Sequence, residues 1–278
     1  MNSTGCNHFK YVLLNSLREH EMKTKLIFLI IITFCCILNS THFSAKTIKP
    51  IKILLIGNSY TYRNHMPKML MKIAQAHGKK IEVHWNVKGK TSFYRHSLRS
   101  QLFKAITWKK WDYVVLQGSS RDMLKNDSIF YGKTIPALNK IVHSIRQNHS
   151  KTNILFFMTW AYRKGYKKMS KANTHFKMIR VISSKYAQLA KKYDAQVIPI
   201  GLIWEKLIFK HHIKNLYHKD NGHPSSVGSY VTACSFYSMI FNRRVKHTPQ
   251  SYLKIKQHNK IEELVWNYTK SKHFHSFR

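Results

Sequence analysis

Two segments of this 278-residue chain hold residue types whose spacing suits nucleophilic catalysis. Ser59 follows an unbroken apolar run, in Ile56-Gly57-Asn58-Ser59-Tyr60-Thr61. A serine where a strand gives way to a helix stands at the carboxyl edge of a sheet, where backbone N–H groups can hold an oxyanion. The competing reading is a helix cap, the common role of small polar residues at such turns. The second segment is Asp220-Asn221-Gly222-His223-Pro224-Ser225. A carboxylate three residues before an imidazole, in a loop bent by Gly and Pro, can accept from one ring nitrogen while the other faces a serine. That contact fixes the tautomer and stabilises the imidazolium formed when the serine gives up its proton. With 18 histidines in the chain, one His means little by itself. Only nine acidic residues follow residue 45, so an Asp beside this His carries more weight, although a helix-capping loop remains the alternative.

The elements that would position these groups alternate along the chain. Ile51 to Ile56, Ile81 to Trp85, Trp111 to Leu116, Asn153 to Met158 and Ala195 to Ile200 read as short apolar strands. Between and after them, helices are expected near Met66 to Ala76, Ser92 to Ile106, Ile135 to Ile145, Ser170 to Lys192 and Ser226 to Phe241. Short apolar strands alternating with helices imply a parallel sheet covered on both faces, and right-handed crossovers then give a three-layer α/β/α sandwich. In such α/β folds functional groups collect at the carboxyl ends of the strands. Pro249 to Arg278 is basic and weakly patterned, read as a helix with a frayed tail.

Taken together, the Ser59 and Asp220–His223 segments resemble the SGNH (GDSL-like) hydrolase superfamily, over roughly residues 51–242. The first block, Gly-Asp-Ser after strand one, is matched by Gly57-Asn58-Ser59, as in a bacterial subgroup with Gly-Asn-Ser; the last block, Asp-x-x-His, is matched by Asp220 and His223. The resemblance implies a flavodoxin-like α/β/α fold and an ester hydrolase working through an acyl-enzyme, with Ser59 as nucleophile, His223 as base and Asp220 as orienter. It implies no metal or organic cofactor. Gly89, after strand two, takes the place of the second-block glycine, so the implied oxyanion donors begin with the N–H groups of Ser59 and Gly89. The third block normally supplies an Asn, but here the chain reads Leu116-Gln117-Gly118-Ser119-Ser120. Gln117 is the candidate replacement donor, with Ser119 and Ser120 behind it. Asn58 and Trp160 are pocket candidates, and a core position for Trp160 is the alternative. The implied partner is an ester, such as an O-acylated or acidic extracytoplasmic saccharide. The missing Asn leaves open a catalytically weak member that binds glycan or lipid.

Composition bounds the rest. Forty-eight Lys and Arg against eleven Asp and Glu give a formal charge of +37, a field that favours anionic partners. The basic residues are spread along the whole chain, which argues against nucleic-acid binding as the main role. The mixed cluster Arg163, Lys164, Lys167, Lys168 and Lys171, beside Tyr162 and Tyr166, is read as solvated or as a contact for acidic polymers. Gly89-Lys90-Thr91 and Gly132-Lys133-Thr134 lack the earlier glycine of a phosphate-binding loop. His211, His212, His218 and His223 have no metal-site spacing. His96, on the helix after Gly89, could point toward the site, but an exposed helix position is the preferred reading.

The N-terminus reads as a leader. Met22-Lys23-Thr24-Lys25 is a short basic segment, followed by apolar residues from Leu26 to Leu38, shorter than the roughly 20 residues that span a bilayer. Residues 1–45 are therefore taken as an extension with a signal peptide and 46–278 as the hydrolase-like domain, exported to a periplasm or secreted. Membrane contact would come only through an uncleaved leader at residues 26–38. Cys35 and Cys36 lie in that run without a good lipidation motif, and no cleavage site is well formed at Ala45. Beyond the leader only Cys234 remains, so no internal disulfide is available.

Overall fold

The apolar run ahead of Ser59 forms β1, Ile51–Gly57, and four further strands join it: β2 Ile81–Val87, β3 Tyr113–Leu116, β4 Asn153–Phe157 and β5 Gln196–Ile198. The structure, a computed structural model, describes residues 18–33, 49–246 and 258–270. All four strand pairings are parallel, in the order β2-β1-β3-β4-β5. This is the flavodoxin-like order of a doubly wound sheet, whose direction of winding reverses between β1 and β3. Ser59 stands at the carboxyl end of β1, beside that reversal.

The principal helices are α1 Met66–Ala76, α2 Ser100–Thr107, α3 Ile135–Asn148, α4 His175–Tyr193, α5 Ile200–Phe209, α6 Ser226–Phe241 and α7 His258–Lys270. Successive strand residues point to opposite faces, and the two core layers divide accordingly. Ile53 and Leu55 of β1 pack with α1, α5, α6 and α7, whereas Leu54 and Ile56 pack with α2, α3 and α4. The sandwich expected from the alternating pattern is the one found. α6 is buried on nearly all sides, which suits its sequence of small and apolar residues.

Three elements differ from expectation. The helix expected over Ser92 to Ile106 is two pieces, a short helix Phe93–Ser97 and α2, separated where Arg99 takes an extended conformation. α5 was not anticipated: its apolar residues run on directly from β5, and only Pro199, at the helix start, divides them. Ser170 to Ala172 form a separate 3₁₀ turn ahead of α4, whose N-cap is Thr174.

The chain divides into two units, Met1–Ile48 and Lys49–Arg278. In the first, residues 18–33 form one helix with every residue exposed. Among the described residues no helix is long and apolar enough to cross a membrane. Cys35, Cys36, Ala45 and the end of the expected apolar run lie outside the described residues, as do 247–257 and 271–278.

Candidate active site

The turn after β1 is fastened on three sides. Gly57 has no room for a side chain, since a Cβ there would lie 2.3 Å from Thr61 Oγ1 and 2.6 Å from Gln117 Oε1. Asn58 caps the short helix Ser59–Tyr62, its Oδ1 accepting from the Tyr60 N–H at 3.1 Å. Its backbone N–H donates to Gln117 Oε1 (2.8 Å), and its Nδ2 donates to the Thr91 carbonyl (3.1 Å). The turn is thereby tied to the end of β3 and to the loop after β2. Ser59 is left at the first helical position, where the backbone N–H has no partner within the helix.

His223 arrives from the opposite end of the sequence on a tight loop. An antiparallel bridge between Tyr217 and Pro224 closes the loop, and Asn221 turns it with a left-handed φ of 58°. Ser225 then caps α6 by accepting from the Gly228 N–H at 3.1 Å. Asp220 Oδ1 accepts from the N–H groups of Gly222 and His223 at 3.0 and 2.8 Å, so the loop's own backbone orients the carboxylate. Asp220 Oδ2 lies 2.7 Å from His223 Nδ1, and His223 Nε2 lies 2.9 Å from Ser59 Oγ. With the carboxylate on Nδ1, that nitrogen carries the proton and Nε2 faces the serine hydroxyl. The three residues form one hydrogen-bonded chain across 164 positions of sequence.

Partial desolvation acts upward on the Asp220 carboxyl, but the two backbone donors and the His223 ring outweigh it and hold it well below the usual carboxylate range. Arg63 Nη1 at 3.9 Å and His218 Nδ1 at 3.5 Å also face Asp220 Oδ2. Neither the Arg63 nor the His218 contact was foreseen.

The remaining expected residues fall into place unevenly. Gly89 is exposed in the loop that Asn58 ties down, and Lys88, just before it, donates its N–H to the Gly57 carbonyl at 3.1 Å. Gln117 is a correction. It is wholly buried; its oxygen accepts from Asn58 N–H and Thr61 Oγ1, and its amide nitrogen donates to the Gly118 carbonyl. Its amide is therefore committed to holding the turn that carries Ser59 and does not face the cleft. Ser120 is buried too, donating to Thr159 and the Trp160 carbonyl, while Ser119 caps the turn that follows it. Asn58 is a cap behind Ser59 and not a pocket wall. Trp160 takes the core alternative: its ring stacks between Tyr60 (4.7 Å) and Trp204 (3.9 Å), and its Nε1 donates to the Gly222 carbonyl at 2.8 Å.

His96, expected to be exposed, is fully buried. Its Nε2 donates to the Gly57 carbonyl at 3.0 Å, and Arg99 Nη1 donates to its Nδ1 at 3.2 Å. Burial pushes its pKa down to about 4, the Gly57 carbonyl opposing and the Arg99 charge assisting. The helix break at Arg99 accompanies this contact. Nothing in the spacing of His96 from Ser59 marks it as a partner.

A cleft of about 370 Å³ opens beside the triad, lined by Tyr60, Tyr162, Lys164, Asp220, Asn221 and His223 among others. Tyr60 was missed, although it directly follows Ser59, and Tyr162 was noted only beside the basic cluster. Burial and the neighbouring Tyr162 raise the Tyr60 pKa well above its ordinary value, so both phenols remain hydrogen-bond donors at neutral pH.

Solved structures with this arrangement of strands and helices place the fold. A DUF4886 family protein from Bacteroides uniformis is 21% identical with a TM-score of 0.68, over 83% of this chain and 100% of that one. A protein assigned to the SGNH hydrolases, from Slackia heliotrinireducens, is 24% identical with a TM-score of 0.54, over 69% of this chain and 100% of that one. This chain has the SGNH-hydrolase fold. An acetyl xylan esterase shares the SGNH-like arrangement at 16% identity and a TM-score of 0.51, over 68% of this chain and 100% of that one. No family model and no curated protein matches the sequence. Ser59 stands at the carboxyl end of β1, and the Asp220–His223 loop meets it there.

Proposed function

We propose that the protein is a serine hydrolase that cleaves carboxylic esters through an acyl-enzyme. The observation that carries the reading is the continuous chain from Ser59 Oγ through His223 to Asp220, with separations of 2.9 and 2.7 Å. The hydroxyl proton passes to His223 Nε2 as Ser59 Oγ bonds to the ester carbonyl carbon. Negative charge develops on the carbonyl oxygen, and the N–H groups of Ser59 and Gly89 are its donors. The imidazolium, held by Asp220, returns the proton to the departing alcohol as the C–O bond breaks. Water then attacks the acyl-enzyme by the same exchange, releasing the acid and restoring Ser59. With Gln117 committed elsewhere, two backbone donors carry the oxyanion where the family pattern has three, and acylation of unactivated esters is expected to be slow.

The substrate class proposed is an O-acylated saccharide outside the cytoplasm. The basic segment and apolar run at residues 22–38 support export, and the likeness to an acetyl xylan esterase is consistent with an acylated sugar. The test is labelling of residues 46–278 with a fluorophosphonate probe, in wild type and Ser59→Ala. Labelling that disappears in the variant is the expected outcome. Absence of labelling in folded wild-type protein would turn the reading towards a glycan- or lipid-binding member of the fold.

A further inference from the structure

A second cavity, also of about 370 Å³, lies at the same edge of the sheet and has a different chemistry. The loop after β2 contributes Lys90 and Ser92, the short helix Phe93–Ser97 contributes Arg95, and the segment after β3 contributes Ser119, Arg121, Asp122 and Lys125. Tyr166 and Met169, from the segment after β4, complete the far wall. Four cationic side chains therefore face a space that contains one carboxylate.

That carboxylate feels the charges of Lys125 and Arg121, but it is one charge against four. Asp122 is buried and accepts from the backbone N–H groups of Ser119 (3.0 Å) and Phe93 (3.3 Å), so it pins two walls of the cavity together. No ion pair among the described residues includes Lys90, Arg95, Arg121 or Lys125. Lys90 is held in the left-handed region at φ 54°, and its carbonyl accepts from Arg95 Nη1 at 3.4 Å. A non-glycine residue with this φ is uncommon. Here it stands next to Gly89, in a loop shared with the oxyanion site.

The cavity adjoins the catalytic cleft. Gly165 lines the cleft and Tyr166 the second cavity, and the Tyr162 and Tyr166 rings, one in each wall, lie 6.3 Å apart. One molecule can therefore reach both spaces.

We propose that this cavity binds an anionic oxygen group of the substrate, the carboxylate of an acidic saccharide, while the acyl ester lies at Ser59. The word substrate rests on the ester-hydrolase reading; the anion site itself does not. Two guanidinium groups suit a planar carboxylate, which each can engage with paired N–H donors.

The test separates this site from the general charge of the protein. Binding of tri-galacturonate is measured by calorimetry at fixed ionic strength, on Ser59→Ala protein with three backgrounds: no further change, Arg95→Gln with Arg121→Gln, and Lys191→Gln with Lys192→Gln on the exposed end of α4. All three remove or keep charge without touching the core, and circular dichroism checks the fold. The expected result is affinity about tenfold weaker or more for the arginine pair and nearly unchanged for the lysine pair. Equal weakening by both pairs, or none by the arginine pair, would overturn the anion site. Fluorophosphonate labelling of the Ser59 parent in the same backgrounds distinguishes the two readings. Binding lost with the arginine pair while Ser59 never labels removes the hydrolase reading alone, and labelling with insensitive binding removes the anion site alone.

Discussion

The His96 imidazole donates to the carbonyl of Gly57 at 3.0 Å, two residues before Ser59. Arg99 in turn donates to the other ring nitrogen and to Asn86 Oδ1 (3.0 Å), so the ring is fixed as the neutral tautomer with its proton on Nε2. A buried, neutral donor thus joins the Lys88 N–H in holding the carbonyl that ends β1, in the turn that carries Ser59.

His96 is accordingly a positioning residue. His96→Leu is expected to slow fluorophosphonate labelling of Ser59 by about 10–10² fold, the scale of a nucleophile displaced by a fraction of an ångström to an ångström. His96→Gln, whose amide can still donate to Gly57, should recover part of that rate. Equal labelling rates in both variants at equal stability would remove the role.

Asp220 is expected to act through charge and orientation. Asp220→Asn should reduce acylation by about 10³–10⁴ fold, because an amide does not stabilise the imidazolium and can impose the wrong tautomer. The wild-type carboxyl, held well below the usual range by Gly222 N–H, His223 N–H and the His223 ring, stays ionised through mildly acid pH. Loss of activity on acidification therefore should not follow Asp220. A pH–rate profile that keeps an acid limb in Asp220→Asn agrees with this, and a limb that vanishes contradicts it.

Gln117 separates a structural from a chemical role. Gln117→Met strands the Asn58 N–H and the Thr61 hydroxyl in a buried site, at a cost of about 1–3 kcal/mol for each unpaired group. Stability by urea denaturation and labelling of Ser59 should fall together. Labelling that drops about 10² fold with the urea midpoint unmoved would instead mark Gln117 as an oxyanion donor.

Two buried groups make opposing pH-dependent contributions to stability. His96 has a folded pKa of about 4 against an ordinary 6.5, so the unfolded chain gains a proton that the folded chain does not as pH falls through that window. Stability is lost on acidification, by about 3 kcal/mol in all. Asp122 is raised from 3.8 to about 6 by burial, against its backbone donors, so the folded chain binds the extra proton and stability is gained as pH falls from about 6 to 4, by a similar amount. Asp122→Asn should therefore make the protein distinctly more acid-sensitive between pH 6.5 and 4, and His96→Gln less so. Urea midpoints at pH 7, 5.5 and 4 check the pair, and parallel curves for all three proteins would refute it.

The sequence by itself determined the layers and singled out Ser59, Asp220 and His223. Five apolar strands alternating with helices leave a parallel sheet covered on both sides as the economical burial, because strand residues such as Leu54 and Leu55 are apolar on both faces. Gly57-Asn58-Ser59 and Asp220-Asn221-Gly222-His223 were visible because their chemistry is local: a turn after a strand, and a carboxylate within one loop of an imidazole. The unpredicted features of the site depend on contacts between distant segments. Whether Gln117 faces the cleft or Asn58 was decided by the packing of β3 against β1, which brings two residues 59 positions apart to 2.8 Å. His96 became buried because the helix after β2 breaks at Arg99 and folds its ring under Gly57. Trp160 turned inward because Tyr60 and Trp204 offered two stacking faces and Gly222 an acceptor. The four cations of the second cavity lie on the segments that follow β2 and β3, the two strands that flank β1, and their lack of ion-pair partners among the described residues is visible only in three dimensions. Residue type fixes what a side chain can do, but burial and hydrogen-bond partners decide what it is free to do, and those are set by the tertiary fold.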